Sequence, residues 1–450
     1  MFLGVFRLKR VAFVPVVLVM ASVSFLSCGY SSSYYKPPSG LTTRVLASQS
    51  VSSPTSGAGL LIIDGANDTV GRGGISAGSS PGLMTISPDR TTLLAFDSSS
   101  NSVEVVNAKT ETSTGSLPLV GPTTSMVALA TGFGYAAVPA APLIGSPPGA
   151  VVVMNLTVGG IAATISVPNA QTVVSSPDGT HLLVFSGDSQ ISRVVTILYP
   201  LLVNTGNPVT ATVSGLDSPV YGVFSADGST AYILNCGPEC GGTQASVQIL
   251  NLGTSTTPPT AGALVPVNGA TVGLLAGSTL YVAGRGTPTG PRCSSIPSAA
   301  PTGATYCGTL DLVDLTTMQD PYYNNPAAEI AITDGYHDRI DMSSNGQLFI
   351  GSYGCTTIGN VNNPQGEVRG CLSIFDTTKL GNATAVIPPD NGDVTGLQSF
   401  TSRTVEYVAE GGNLRVYDTT KDKLLLDSFI TTGTINITGQ IVDVKAIDFF

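Results

Sequence analysis

A strand-turn-strand unit that recurs along the chain constrains its fold more than any other feature. Four stretches carry the first half of the unit: "TISPDRTTLLAF" (85–96), "VSSPDGTHLLVF" (174–185), "VFSADGSTAYIL" (223–234) and "DMSSNGQLFIGS" (341–352). Each has apolar residues on both sides of a turn, and Asp-Gly or Asn-Gly supplies the turn chemistry where it occurs. The second half is a short apolar run ending in Asp or Asn: "LLIID" (60–64), "VEVVN" (103–107), "VVVMN" (151–155), "VQILN" (247–251), "LDLVD" (310–314), "LSIFD" (372–376) and "LRVYD" (414–418), with "VVTIL" (194–198) as a degraded copy. The ends at Asp64, Asn107, Asn155, Leu198, Asn251, Asp314, Asp376 and Asp418 are spaced by 43, 48, 43, 53, 63, 62 and 42 residues. Strand units at such intervals predict radial repetition, an all-β chain folded as a β-propeller. Eight ends predict eight blades, with seven as the alternative if one degenerate unit is miscounted. The first unit lacks its opening strand, and "IVDVKAIDFF" (441–450) has the pattern of that strand. The ring is therefore expected to close by pairing of the C-terminal strand into the first blade, which hides two sheet edges.

Composition agrees. With 52 Gly, 30 Pro, no Trp and 11% charged residues, the chain suits short strands and tight turns better than helices. A formal charge of −10 without a long basic run leaves no electrostatic footprint for nucleic acid. The absence of Trp and of any C-x-x-C-H argues against a haem- or quinone-linked redox protein.

The pattern "SPDG…LLVF…VxVxN" resembles the YVTN-type repeats of the lactonase-like β-propeller family, over nearly all of the chain beyond its N-terminal segment. The full tetrapeptide never occurs; "LYVAGRG" (280–286) and "VEYVAEGG" (405–412) come nearest. The resemblance implies the fold. Such propellers include lactonases, binding proteins and surface-layer proteins, so it does not imply one function.

The N-terminal segment has the layout of a secretory signal: basic Arg7, Lys9 and Arg10, an apolar run from Val11 to Val23, then "FLSC". The apolar run is short for a membrane span. Cys28 directly after a small residue resembles the lipobox of bacterial lipoproteins, which implies cleavage before Cys28 and a lipid on its sulfur. Gly29, rather than Asp, by the same resemblance implies the outer membrane. Phe25 departs from the pattern three residues before the cysteine, so simple secretion and an uncleaved anchor stay open. "YSSSYYKPPSGLTT" (30–43) reads as a polar tether. The expected organisation is a signal peptide at 1–27, a lipidated cysteine and tether at 28–42, and one propeller domain at 43–450.

Beyond Cys28, six cysteines fall as Cys236/Cys240, Cys293/Cys307 and Cys355/Cys371, each pair between the second and third strands of one of the three longest units, the fifth to seventh. Extra length and a cysteine pair arrive together, the pattern of disulfide-stapled insertions in an oxidising compartment. A mixed or intermolecular pairing is one alternative. A metal or redox site is disfavoured, because no pair is C-x-x-C and the chain has 2 His.

In an up-and-down blade the "PDG" turns share one face, while the stapled loops and the blade-to-blade links share the other. "DGYHDRID" (334–341) is one such link, and His337, Asp338 and Arg339 are its chemically able residues, with Asp217 as a further candidate. No cofactor is expected. Asp217, Asp393 and Asp443 occupy similar links, and a ring of carboxylates there would suit calcium. The bland alternative has these groups solvated or paired within their loops. His181, Asp89, Asp178 and Asp227 read as turn residues. Tyr34, Tyr35, Tyr322 and Tyr323 lie in polar segments where loop solvation competes with a grip on a partner or glycan.

The expected function is a monomeric, surface-tethered, non-catalytic lipoprotein that binds a protein, glycan or envelope component through its loop-built face. The alternative is a lactonase-like hydrolase with its site at the channel mouth. The anchor is directly testable. Cys28→Ala is expected to release the protein from membranes or to leave the precursor uncleaved, as read by membrane fractionation with N-terminal sequencing; a cleaved variant retained in membranes would exclude the lipid anchor.

Overall fold

The eight apolar runs that define the repeat are the third strands of eight antiparallel sheets arranged as an eight-bladed β-propeller. The computed structural model describes residues 37–50, 59–187, 193–200, 210–254, 256–286, 308–355, 358–359, 368–369, 371–380, 385–388, 392–427 and 440–448. The expected signal peptide, Cys28, most of the tether, Cys293 and Cys307 lie outside these residues.

Blade 1 takes Thr43–Ser50, Gly59–Asp64 and Thr69–Ile75 from the start of the chain and Gln440–Asp448 from its end as the innermost strand. Blades 2 to 8 follow in order. Their innermost strands are Pro81–Ile86, Ser125–Ala128, Ala170–Ser175, Pro219–Phe224, Val272–Ala276, Tyr336–Met342 and Val394–Ser399. Blade 7 has three described strands, and an isolated bridge from Ile374 to Val386 stands on its outer side. Its insertion adds a small hairpin, Ile358–Gly359 with Val368–Arg369.

Apolar side chains fill the spaces between adjacent blades, so a middle strand must feed two cores. In Ala150–Asn155, Val151 and Val153 pack toward blade 4, while Val152 and Met154 pack toward blade 2. That is why this run is apolar at every position before its Asn instead of alternating. The Asp or Asn at their ends has an equally local cause. Asn107 Oδ1 accepts the N–H groups of Lys109 (2.9 Å) and Thr110 (3.0 Å), Asn155 those of Thr157 and Val158, and Asp314, Asp376 and Asp418 those of the residue two further on. These side chains satisfy the turn into the outer strand. Four residues past the Asp or Asn the backbone turns left-handed, at Asp68, Glu111, Gly159, Met318 and Asp422.

The ring closes as the C-terminal pattern predicts. Gln440–Asp448 runs antiparallel to Thr43–Ser50 with Val444 opposite Ala47, and it packs Ile441, Val444 and Ala446 against Phe400 and Tyr407 of blade 8. Asp443 ties three blades together. Its N–H donates to Ser48 Oγ (2.9 Å), its Oδ2 accepts the Met84 N–H of blade 2 (2.8 Å), and its Cα lies 3.0 Å from where a Cβ would sit on Gly396 of blade 8. A second latch joins blade 8 to blade 1: Arg403 grips Asp68 with two bonds of 2.7 and 2.8 Å, and the Tyr407 hydroxyl donates to the same carboxylate. Related contacts link other inner strands. Asp341 Oδ2 accepts the Ser399 N–H (2.7 Å), and Ser125 Oγ accepts the Val173 N–H (3.1 Å).

Buried Val and Ile side chains each contribute about 1.5–3 kcal/mol, and a domain's whole stability is roughly 5–15 kcal/mol. Ile441, Val444 and Ile447 are all buried in blade 1, so losing their strand removes a large part of that margin. Deletion of residues 441–450 is expected to give an aggregating protein without a cooperative melt, as seen by size exclusion and circular dichroism. A truncated monomer with an unchanged melting temperature would show that the ring holds without this strand.

Candidate functional site

The innermost strands line a central channel, and a bulge near the loop-face end of several of them decides which side chains enter it. In blade 4 the register steps from Ala170 to Thr172, in blade 5 from Pro219 to Tyr221, in blade 7 from His337 to Arg339 and in blade 8 from Val394 to Gly396. The skipped residues are Gln171, Val220, Asp338 and Thr395. A bulge re-aims the residue it leaves unpaired, and Gln171, Val220 and Asp338 all line the same cavity, of about 600 Å³. Among these four bulged residues Asp338 alone is ionisable.

The blade 7 bulge separates the expected trio. Asp338 and Arg339 face the channel, where Arg339 Nη1 donates to Asp338 Oδ2 at 2.8 Å and Arg339 Nε to the Thr395 carbonyl at 2.9 Å. His337 turns into the blade. It is fully buried, its Nε2–H donates to the Thr333 carbonyl (2.9 Å), and its Nδ1 has no partner. Its ring packs so close that a Cβ on Gly308 would sit 2.6 Å from Cε1. Burial pulls the imidazole down to about 4, against weaker support from the Thr333 carbonyl and Asp334. It is therefore a neutral structural group that does not reach the cavity with its neighbours.

Asp217 does not converge with them either. Its carboxylate accepts the N–H groups of Thr243 (2.9 Å) and Gln244 (2.8 Å) and the Thr243 hydroxyl (2.6 Å), fixing the loop behind the Cys236–Cys240 disulfide. Asp393 accepts the Gly354 N–H (2.8 Å), and Asp443 serves the ring closure. The three carboxylates of the imagined calcium ring thus work separately, and among the described residues no group of three His, Cys, Asp or Glu side chains is placed to hold a metal ion. Tyr322 is buried against the core between blades 6 and 7, and Tyr323 reaches toward Gln244. His181 lies on the turn face, bonded to Thr180 Oγ1 at 2.8 Å and edge-on to Tyr199.

The mouth also gathers residues that were not among the sequence candidates. Arg193, from the connection between the second and third strands of blade 4, lines the cavity with a buried Nε that has no hydrogen-bond partner among the described residues. Tyr336 and Tyr353 stand together there with ring centroids 5.2 Å apart. Burial raises the Tyr336 hydroxyl well above its ordinary value. Asp338 is also raised by burial, opposed by Arg339, and its Oδ1 has no partner. The stapled loop contributes to this region. Its short 3₁₀ turn Gly237–Cys240 carries Glu239, whose Oε2 accepts the Arg285 N–H (3.0 Å) and whose charge acts on both tyrosines. Cys355–Cys371 is the second disulfide, also within one blade, as locality predicts. The only sequence hint of Arg193 is a guanidinium directly before a third strand in the degraded repeat.

No family model matches the chain, and no curated protein matches it. Solved structures do. Dihydro-haem d1 dehydrogenase NirN in complex with DHE aligns with a TM-score of 0.54 at 11% identity, covering 86% of this chain and 73% of that one. Kuenenia stuttgartiensis hydrazine synthase aligns with a TM-score of 0.52 at 17% identity, covering 75% and 95%. At such identities the likeness is one of fold alone. The Pseudomonas aeruginosa periplasmic gluconolactonase PpgL covers 90% of this chain and 99% of its own at 15% identity, with a TM-score of 0.48, too low to support an argument.

The buried imidazole sets a pH signature. Between its ordinary value of 6.5 and about 4, the unfolded chain takes up a proton that the folded state refuses, so stability falls as pH drops through that window, by about 3 kcal/mol. Asp311 and Glu406, whose carboxyls burial raises, act in the opposite direction, so the signature is read as a difference. Denaturant unfolding of wild type is expected to lose about 3 kcal/mol more than His337→Gln between pH 7 and pH 4, and parallel curves would mean that the imidazole protonates in place.

Proposed function

We propose that the chain is an exported, tethered propeller that binds a carboxylate-bearing component of the cell envelope, free or as part of a glycan or protein, at the channel mouth without transforming it. One observation carries this reading: the unpartnered, buried Arg193 Nε in the wall of a 600 Å³ cavity that also presents Arg339, Tyr336 and Tyr353. A guanidinium N–H without a partner is costly to bury, and a carboxylate is the ligand whose geometry it matches. Cavities of this size hold small molecules or the end of a larger one.

The path of the chain supports presentation of this mouth. The Ser39 N–H and hydroxyl both donate to Glu111, each at 2.6 Å, in the turn that follows Asn107. The N-terminal segment therefore joins the propeller on the turn face. Disulfides within two insertions fit an oxidising compartment.

A specific observation favours a second reading. Asp338 is raised by burial and has a free Oδ1 beside Arg339, which suits a general base with an adjacent cation for lactone hydrolysis. Calorimetric titration with butyrate and galacturonate, alongside δ-gluconolactone hydrolysis, separates the two. Binding is expected to weaken at least tenfold in Arg193→Gln, a loss of about 1.4 kcal/mol, with no turnover above buffer. Turnover abolished by Asp338→Asn would replace the binding reading with the hydrolase, and unchanged binding in Arg193→Gln would overturn the site.

A further inference from the structure

Below the polar mouth the channel changes character. A second cavity of about 590 Å³ occupies its turn-face end, walled by the inner strands and turns of blades 4, 5 and 6 and by Pro88 of blade 2. Val223, Leu274 and Leu275 are half-buried there, and no charged side chain among the described residues lines it. The two cavities share Val174, Ser175 and Tyr221. Inner strands of six residues such as Ala170–Ser175 set the distance from mouth to turns at roughly 20 Å.

We infer that the ligand is an amphipathic carboxylate, its head on Arg193 and its alkyl chain running past Ser175 into the lower cavity. This rests on the binding role proposed above and adds the ligand class. A wholly polar acid would satisfy Arg193 and leave the apolar walls in water. A wholly apolar ligand would fill the lower cavity and leave the buried Arg193 Nε unpaired. A carboxylate with a chain satisfies both ends, because the charged groups of the channel, Arg193, Asp338 and Arg339, line the upper cavity alone. The free Asp338 Oδ1 also accepts a hydroxyl or amide N–H close to the head.

Titration with sodium dodecanoate below its micelle concentration, against butyrate and dodecyltrimethylammonium, tests chain and charge separately. Dodecanoate is expected to bind at least tenfold more tightly than butyrate, and Arg193→Gln to weaken both. Ser175→Phe, at the junction of the cavities, is expected to bring dodecanoate down to the affinity of butyrate while leaving butyrate unchanged. Val223→Thr keeps the shape of the side chain and adds a hydroxyl, so a weaker dodecanoate affinity in that variant reports the lower wall even where Ser175→Phe misfolds. Butyrate binding without any gain for dodecanoate would overturn the inference and leave the binding reading standing. So would dodecanoate binding indifferent to both channel variants, or equal Arg193-independent binding of the cationic detergent. Failure of both carboxylates to bind would remove the binding reading and this inference with it.

Discussion

The pairing of Gln440–Asp448 with Thr43–Ser50 is the contact on which the rest depends. Every other blade is built from consecutive strands, and its hairpins form from local turn chemistry. Blade 1 alone joins residues nearly four hundred positions apart, as in the bond from the Asp443 N–H to Ser48 Oγ. Until that pair forms, blades 1 and 8 each lack a packed neighbour, and the buried cluster of Val45, Val444, Phe400 and Tyr407 does not exist. The loop closure is entropically slow and costly, and it is reinforced where it occurs. Asp443 serves blade 2, and Arg403 with Tyr407 serves Asp68 from the other side.

A closed ring also creates the place where chemistry can happen. Eight inner strands of modest length enclose a channel. One residue with a reactive group enters it because a bulge turns it inward. That residue is Asp338: one residue earlier, His337 is sealed in the blade as a neutral ring, and one residue later, Arg339 is back in register and bonded across to blade 8. A shift of one position in that bulge would exchange an acid for an imidazole at the mouth. The insertions with their staples act around this mouth. Glu239 owes its position beside Tyr336 and Tyr353 to the Cys236–Cys240 turn, which Asp217 holds from behind.

The repeat, the blade count and the closing strand were legible in the sequence because each has a local cause that leaves a residue pattern. The run "VVVMN" is apolar up to its Asn because its strand packs on two neighbours. The terminal Asp or Asn of such runs is present because the four-residue turn that follows needs a side-chain acceptor there. Local spacing likewise pointed to Cys236 with Cys240 and Cys355 with Cys371. The candidate site was only half legible. "YHDRID" was recognisable as a chemically able link, but a strand's alternation cannot place His337, Asp338 and Arg339 when a bulge interrupts it.

What tertiary structure alone decided is which side chains meet. Tyr336 and Asp338 share the inner strand of blade 7 and Tyr353 pairs opposite Tyr336, but Arg193 comes from a connection in blade 4, and only the curvature of the ring brings it to the same cavity. Asp217 and Asp393 precede the inner strands of their blades while Asp443 lies within one, and each is occupied by backbone N–H groups of its own surroundings. Sequence determined the ring because strand, turn and pairing energies are short-range and repeat with the chain. Tertiary structure decided the site because electrostatic and packing neighbours across a channel are set by where closed blades point, a quantity that no local pattern encodes.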